Sequence, residues 1–262
     1  MDSHEEGSSF DLDTARIRLL YRIPTAPARG RALELSINGK SILHGRNWAG
    51  EFTVVDLSGS VPSLSAIGAD AGPDADQLSS CVADYATGLP FRDGSIDVVV
   101  LHRTLDHLSA LARRTGRTFV IRDFLSQVAR ILAAGGLVVG CVENRYGLEH
   151  ILRGLNRLTG RGGDADTDSS SCRPLSVPVC HRALAAAGFK DISLFNMLPG
   201  PDSPSRLLGI ESGWSRQACL RQVGGLRPLV GPFSYMVWRT LAELGISQYL
   251  GAATFFWGRK RC

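Results

Sequence analysis

The sequence is short of several things, and each shortage excludes something. It has no run of 18 uncharged apolar residues; the best stretch, residues 231–257, carries Arg239 and Glu243. A helix crossing a bilayer is therefore not expected. The first residues, MDSHEEGSSFDLD, contain no basic segment followed by an apolar one. No secretory leader is read there, and the expected address is the cytoplasm. Charge of one sign is also scarce. Lys plus Arg number 29 against 25 for Asp plus Glu, a net of +4, too little and too dispersed for a nucleic-acid footprint. Nearly all the basic residues are Arg, with lysine only at 40, 190 and 260. The six cysteines (81, 141, 172, 180, 219 and 262) form no Cys-x-x-Cys pair. With no Cys/His ligand spacing either, reduced thiols and no metal are expected.

What is present is an ordinary globular composition, 44% hydrophobic and 21% charged, which excludes disorder, fibres and coiled coil. After a short acidic tail and a short helical stretch at 11–22, apolar strand patterns recur. They fall at Ala32–Ile37, Phe52–Leu57, Cys81–Ala83, Ile96–Leu101, Leu137–Val142, Asp191–Leu198 and Ala252–Gly258. Helical spacing separates several of them. In Phe119–Leu132 the apolar residues Phe119, Ile121, Phe124, Leu125, Val128, Ile131 and Leu132 share one face. Residues 146–158 carry a second apolar stripe, and Val177–Ala187 reads as a helix stopped by Gly188. Short apolar strands joined by helices indicate a parallel sheet covered on both faces. Residues 159–174, rich in Gly, Asp and Ser, read as a loop. About fifty residues precede the last strand, with helical patterns near Arg206–Arg221 and Tyr235–Leu244. That is more than a strand connection needs, so a cover is expected.

In such a sheet, ligands bind beyond the carboxyl ends of the strands, where the strand order reverses. Acidic residues stand near those ends. Glu34 lies in the first strand, followed by Asn38-Gly39, which permit a tight turn. Asp56 ends the second strand, where one carboxylate can grip both hydroxyls of a ribose. Asp84-Tyr85 ends the third, offering an acceptor and an aromatic face to an adenine. His102 ends the fourth. Taken singly, Glu34 reads equally well as a helix cap and Asp56 as a turn residue; their succession points to a site.

The stretch VADYATGLPFRDGSIDVVVLHRTLDHL (82–108) resembles class I S-adenosylmethionine-dependent methyltransferases. Its marks are the Asp after strand three, a Leu-Pro-Phe turn, an Asp-x-Ser pair, strand four and a Leu-x-His-Leu helix. FLSQVARILAAGGLVVGCVENR (124–145) is similar to the helix, Gly-Gly turn and fifth strand of that family, and RALAAAGFKDISLF (182–195) to its sixth-strand segment. The resemblance covers roughly residues 31–198, with 252–260 fitting the last strand. It implies a Rossmann-like, doubly wound α/β sheet of seven strands, six parallel and one antiparallel. The corresponding division is a tail and helix at 1–30, a core at 31–198, a helical insertion at 199–251 and the last core strand at 252–262. The implied cofactor is S-adenosylmethionine. Its implied ligands are Glu34, Ser36, Asn38 and Gly39 on the first motif, and Asp56 with Leu57 at the ribose. Asp84 and Tyr85 would lie at the adenine, and His102 under the sulfonium.

One departure is plain. Where the family has Gly-x-Gly-x-Gly, this chain has Ser36-Ile37-Asn38-Gly39-Lys40. Only Gly39 keeps the freedom that lets backbone approach a ligand, and Lys40 either offers a charge to a carboxylate or stays in solvent. Methyl transfer needs mainly alignment, and a base only where the acceptor must lose a proton. His107 is the base candidate, equally readable as an ordinary helix residue. Asn144 and Tyr146 could position a polar acceptor, or cap and pack. His102, Asp106 and His107 read weakly as a metal cluster. The aromatic residues Trp214, Phe233, Tyr235, Trp238 and Tyr249 suit an organic or carrier-bound acceptor, and equally an inner core or a homodimer patch. Two functions follow: a methyltransferase acting at O, N or C of a small molecule or biosynthetic intermediate, or a methyltransferase-like binding or scaffold protein that has lost turnover. A nicotinamide-dependent reductase is the weakest, for want of Gly-x-Gly-x-x-Gly and Tyr-x-x-x-Lys.

Overall fold

A computed structural model of the chain describes residues 30–36, 51–57, 78–82, 88–116, 120–144, 175–198, 206–210, 236, 240, 251 and 253–261. The strands are β1 (Ala32–Ser36), β2 (Phe52–Asp56), β3 (Leu78–Val82), β4 (Ile96–His102), β5 (Leu132–Glu143), β6 (Phe189–Leu198), β7 (Arg206–Gly209) and β8 (Ala253–Lys260). The helices are α1 (Thr104–Arg114), α2 (Ile121–Ile131) and α3 (Val177–Ala186). The strands form one sheet in the order β3-β2-β1-β4-β5-β8-β6-β7. Strands β1 to β5 pair in parallel, while β8 runs antiparallel to both β5 and β6. The chain moves outward from β1 to β3 and then returns to lay β4 on the other side of β1. The crevice where strand order reverses therefore opens between β1 and β4.

The sheet holds its place because its strands are apolar on both faces. Every residue of β1 is buried, and β4 buries Ile96 and Val98 through Leu101. Alternate side chains enter two separate cores. Leu33, Leu35, Val55, Val99, Leu101 and Val138 pack on the face covered by the helices, whereas Ala32, Val54, Val98, Val100, Val139 and Phe255 pack on the other. The helical stripe expected from the sequence is realised in α2, which buries Phe124, Leu125, Val128 and Ile131. Where β5 meets β4 and β8 the sheet is tight. A Cβ on Gly140 would lie 2.6 Å from the Leu101 carbonyl oxygen and 2.7 Å from the Phe256 ring. Gly188 follows α3 at φ +93°, as expected of the residue that stops this helix.

Two expectations are corrected. The described sheet has eight strands rather than seven: six run one way, and β7 is reversed as well as β8. The helical pattern read from Arg206 onward gives way, at Arg206–Gly209, to strand. The reason is tertiary, since β6 presents an open edge and β7 satisfies its backbone groups through the register Phe195↔Gly209 to Leu198↔Arg206. Part of the stretch assigned to the insertion thus belongs to the sheet. Met236 and Thr240 are helical, one turn apart, with the Thr240 hydroxyl donating to the Met236 carbonyl at 3.0 Å. The tail and helix at 1–22, the stripe at 146–158, the loop at 159–174 and the insertion's aromatic residues lie outside the described residues.

Candidate functional site

The carboxyl ends of β1 and β2 stand side by side. Ser36 pairs with Asp56 across the two strands, and the Leu57 amide donates to the Ser36 carbonyl at 3.0 Å. Asp56 is 2% exposed and Leu57 1%. A carboxylate is rarely buried at a strand tip without a functional or structural partner. Glu34 is buried as well, but it sits mid-strand between Val54 and Val100, two residues before the tip. Asn38, Gly39, Asp84 and Tyr85 lie outside the described residues, as do Ile37 and Lys40.

Across the crevice, β4 ends in His102, and α1 begins two residues later. The turn between them is made by Arg103 in the left-handed region, at φ 54° and ψ 9°. A non-glycine residue there costs about 1 kcal/mol or more, and such strain concentrates at functional sites. Two bonds hold it: the Arg103 amide donates to the Cys141 carbonyl at 3.0 Å, and its own carbonyl accepts the His107 amide at 3.1 Å. The next residue, Thr104, is buried and donates its hydroxyl to the Leu35 carbonyl at 2.6 Å. The start of α1 is thereby tied to the carboxyl end of β1.

His102 is half-buried with Nδ1 3.3 Å from the Cys141 sulfur. Burial pushes its pKa down to about 3, helped by the positive charge of Arg103 and by His107. The ring is neutral at physiological pH.

The ends of β4 and β5 carry a charged cluster. The Arg103 guanidinium pairs with the Glu143 carboxylate, both largely covered. Asp106, in the first turn of α1, accepts the Glu143 amide on Oδ2 at 2.8 Å, and its Oδ1 has no hydrogen-bond partner among the described residues. Burial raises the Asp106 carboxyl to about 8; the Glu143 charge adds to this, while the Glu143 amide and Arg103 oppose it. Asn144 follows, fully buried, with Nδ2 donating to the Gly251 carbonyl at 2.8 Å. His107 is half-buried on α1. Tyr146 is outside the described residues.

The structure therefore gathers Ser36, Asp56, Leu57 and His102 around one crevice and puts His107 and Asn144 beside it. Sequence reasoning missed Arg103, whose strained backbone leaves no local signature, and it missed the contact of Cys141 with His102. Among the described residues, no three His, Cys, Asp or Glu side chains group as metal ligands. A cavity of about 510 Å³ lies elsewhere, between α3 and β6, lined by Val177, Arg182, Ile192, Phe195 and Ile210 among others. It is three strands removed from β4 and plays no part in this cluster.

Residues 38–140 match the family model of a methyltransferase domain. No curated protein sequence is significantly similar to the chain. Among solved structures, the chain resembles an S-adenosylmethionine-dependent methyltransferase of Thermotoga maritima, described as a possible histamine N-methyltransferase. The TM-score is 0.56 and the identity 14%, over 98% of this chain and 95% of that one. It also resembles geranyl diphosphate C-methyltransferase of Streptomyces coelicolor A3(2), solved with Mg2+, geranyl diphosphate and S-adenosyl-L-homocysteine, with a TM-score of 0.51 at 15% identity over 96% and 80% of the two chains. A third is the [4+2]-cyclase SpnF, with a TM-score of 0.52 at 17% identity over 94% and 80%. Residues 38–140 thus match a methyltransferase domain, and the sheet that carries them has the fold seen in S-adenosylmethionine-dependent methyltransferases.

Proposed function

We propose that the chain transfers a methyl group from S-adenosylmethionine to a small organic molecule or biosynthetic intermediate. The observation that carries this reading is Asp56, a buried carboxylate in register with Ser36 at the reversal of strand order. Its two oxygens suit the two hydroxyls of a ribose, and charge-assisted hydrogen bonds of that kind are about twice as strong as neutral ones. Ser36 and Leu57 border the same place, with Glu34 buried behind the tip. Asn38, Gly39, Asp84 and Tyr85 complete the expected set from the segments that follow β1 and β3.

The cofactor supplies a methyl group activated by a positively charged sulfur. The protein's contribution is alignment and exclusion of water, which together can lower a barrier by about 7–11 kcal/mol. A neutral His102 fits this role, because a protonated imidazole would repel the sulfonium. With a pKa of about 3, His102 is too weak a base to take an acceptor's proton near neutrality. Among the described residues His107 is the other imidazole beside the cluster, and an acceptor that is already nucleophilic needs neither. Asn144 and Tyr146 mark the acceptor side.

Calorimetric titration with S-adenosylmethionine and S-adenosylhomocysteine tests the reading. Saturable binding of both is expected, and no heat at high micromolar ligand would refute it. A second reading, cofactor binding without methyl transfer, is favoured by the replacement of the glycine loop by Ser36-Ile37-Asn38-Gly39-Lys40. A shared fold does not by itself determine the reaction. Mass spectrometry of an acceptor library for a gain of one methyl group separates the two readings.

A further inference from the structure

The cavity of about 510 Å³ beside α3 takes no part in the proposed chemistry, yet its walls are those of a binding site. Its volume falls within the roughly 300–1,000 Å³ common to small-molecule pockets. One wall is α3, where Val177, Pro178, His181 and Arg182 recur at helical spacing along one side. The other is β6, whose Ile192 and Leu194 lie on the helix-covered face of the sheet. Ile210, just past β7, joins them, its amide donating to the Leu194 carbonyl at 3.1 Å. Exposure is graded along these walls. Val177 and Ile210 are buried, Ile192 and Leu194 half-buried, and His181 and Arg182 exposed. The interior is therefore apolar, and the cation stands at the mouth. No acidic residue lines the cavity, and α3 has none in its first turn. Among the described residues Arg182 has one polar contact, from Nε to the Pro178 carbonyl at 3.3 Å, and no ion pair.

We propose that this cavity is a second binding site, which takes an amphipathic organic anion with its apolar chain inside and its carboxylate or phosphate head on Arg182. Left empty, the cavity keeps Ile192 and Leu194 against water; a chain laid between α3 and β6 removes that apolar surface. The head stays at the mouth, because a charge is costly to bury. There the terminal nitrogens of the guanidinium form a planar fork that matches two anionic oxygens. The neighbouring His181 ring adds a polar nitrogen on the same side of the helix. A neutral chain lacks the contact with Arg182, and a cationic one is repelled by it. Charge thus selects the ligand and the apolar walls orient it. The site lies three strands from β4, so it depends neither on the cofactor nor on the reading of the crevice.

Full-length protein is titrated with decanoate, decyl phosphate and decanol below their micellar concentrations, by calorimetry and by NMR of labelled methyl groups. At least one of the two anions should bind saturably at a single site, and the tighter of them names the head group. The Ile192, Leu194 and Ile210 methyls should shift along the same saturation curve, with Ile96 on β4 unmoved. Decanol should bind about tenfold more weakly or worse, and Arg182→Gln should weaken the anion by a similar factor. Arg182→Lys, which keeps the charge, should recover most of that loss. Arg182 is exposed, so both variants should melt as the wild type does, which separates loss of the ligand from loss of the fold. Saturating S-adenosylhomocysteine should leave the anion's affinity unchanged. The inference is overturned by no saturable binding of either anion, by equal binding of decanol, by undiminished affinity in Arg182→Gln, or by unmoved methyls at the three positions. Displacement by S-adenosylhomocysteine would likewise overturn it, by placing the anion in the crevice.

Discussion

The Thr104 hydroxyl donates to the Leu35 carbonyl across 2.6 Å, joining the first residue of α1 to the strand at the centre of the crevice. Both residues are buried at 1% exposure. Together with the left-handed Arg103, this bond sets the direction in which α1 leaves the sheet, and with it the positions of Asp106 and His107. Thr104→Val keeps the shape and removes the donor, leaving a buried carbonyl with one partner fewer. A loss of about 1–3 kcal/mol in urea denaturation is expected, with Thr104→Ser recovering most of it. A loss in Thr104→Ser with little or none in Thr104→Val would show that the methyl group's packing matters rather than the hydrogen bond.

Asp56 should control cofactor affinity. Asp56→Ala is expected to weaken S-adenosylhomocysteine binding by more than about 1.5 kcal/mol, over tenfold, in calorimetry. Unchanged affinity would remove Asp56 from the site.

The two perturbed groups predict opposite pH dependences. The Asp106 carboxyl rises to about 8 from an ordinary 3.8. The folded protein therefore holds a proton that the unfolded chain has released, and stability falls as pH climbs from about 4 to about 8. His102 drops from 6.5 to about 3. There the unfolded chain binds the extra proton, so stability is lost as pH falls from about 6.5 to about 3. From these two groups, stability should be level between about pH 4 and 6.5 and fall on either side. Between pH 6.5 and 8 the Asp106 effect amounts to about 2 kcal/mol. Chemical denaturation at those two values should show the fall in the wild type and a much smaller one in Asp106→Asn. An equal fall in both would assign it elsewhere.

Gly140→Ala should be severe. The added carbon meets backbone on one side, the Leu101 carbonyl, and a packed ring on the other, Phe256. Overpacking of this kind costs about 1–3 kcal/mol. Gly135→Ala meets nothing within 4 Å but occupies φ +72°, so its cost should be nearer 1 kcal/mol. Thermal melts of the two variants should rank in that order.

Much of this molecule was legible in its amino-acid order. The apolar runs of β1, β2, β4 and β5 and the stripe of α2 are local patterns, set by side chains repeating every two residues or every three to four. Asp56 and His102 could be placed at strand ends because each closes such a run. Strand β7 could not be read, since Arg206–Gly209 becomes a strand only when the open edge of β6 is there to pair with it. The left-handed turn at Arg103 and its pairing with Glu143 likewise depend on β4 and β5 lying side by side, 40 residues apart in the chain. The acidity of Asp106 was decided later still. Its neighbours along α1 say nothing of it; only burial against β5 and α3, which strips water from the carboxyl, makes the charged form expensive.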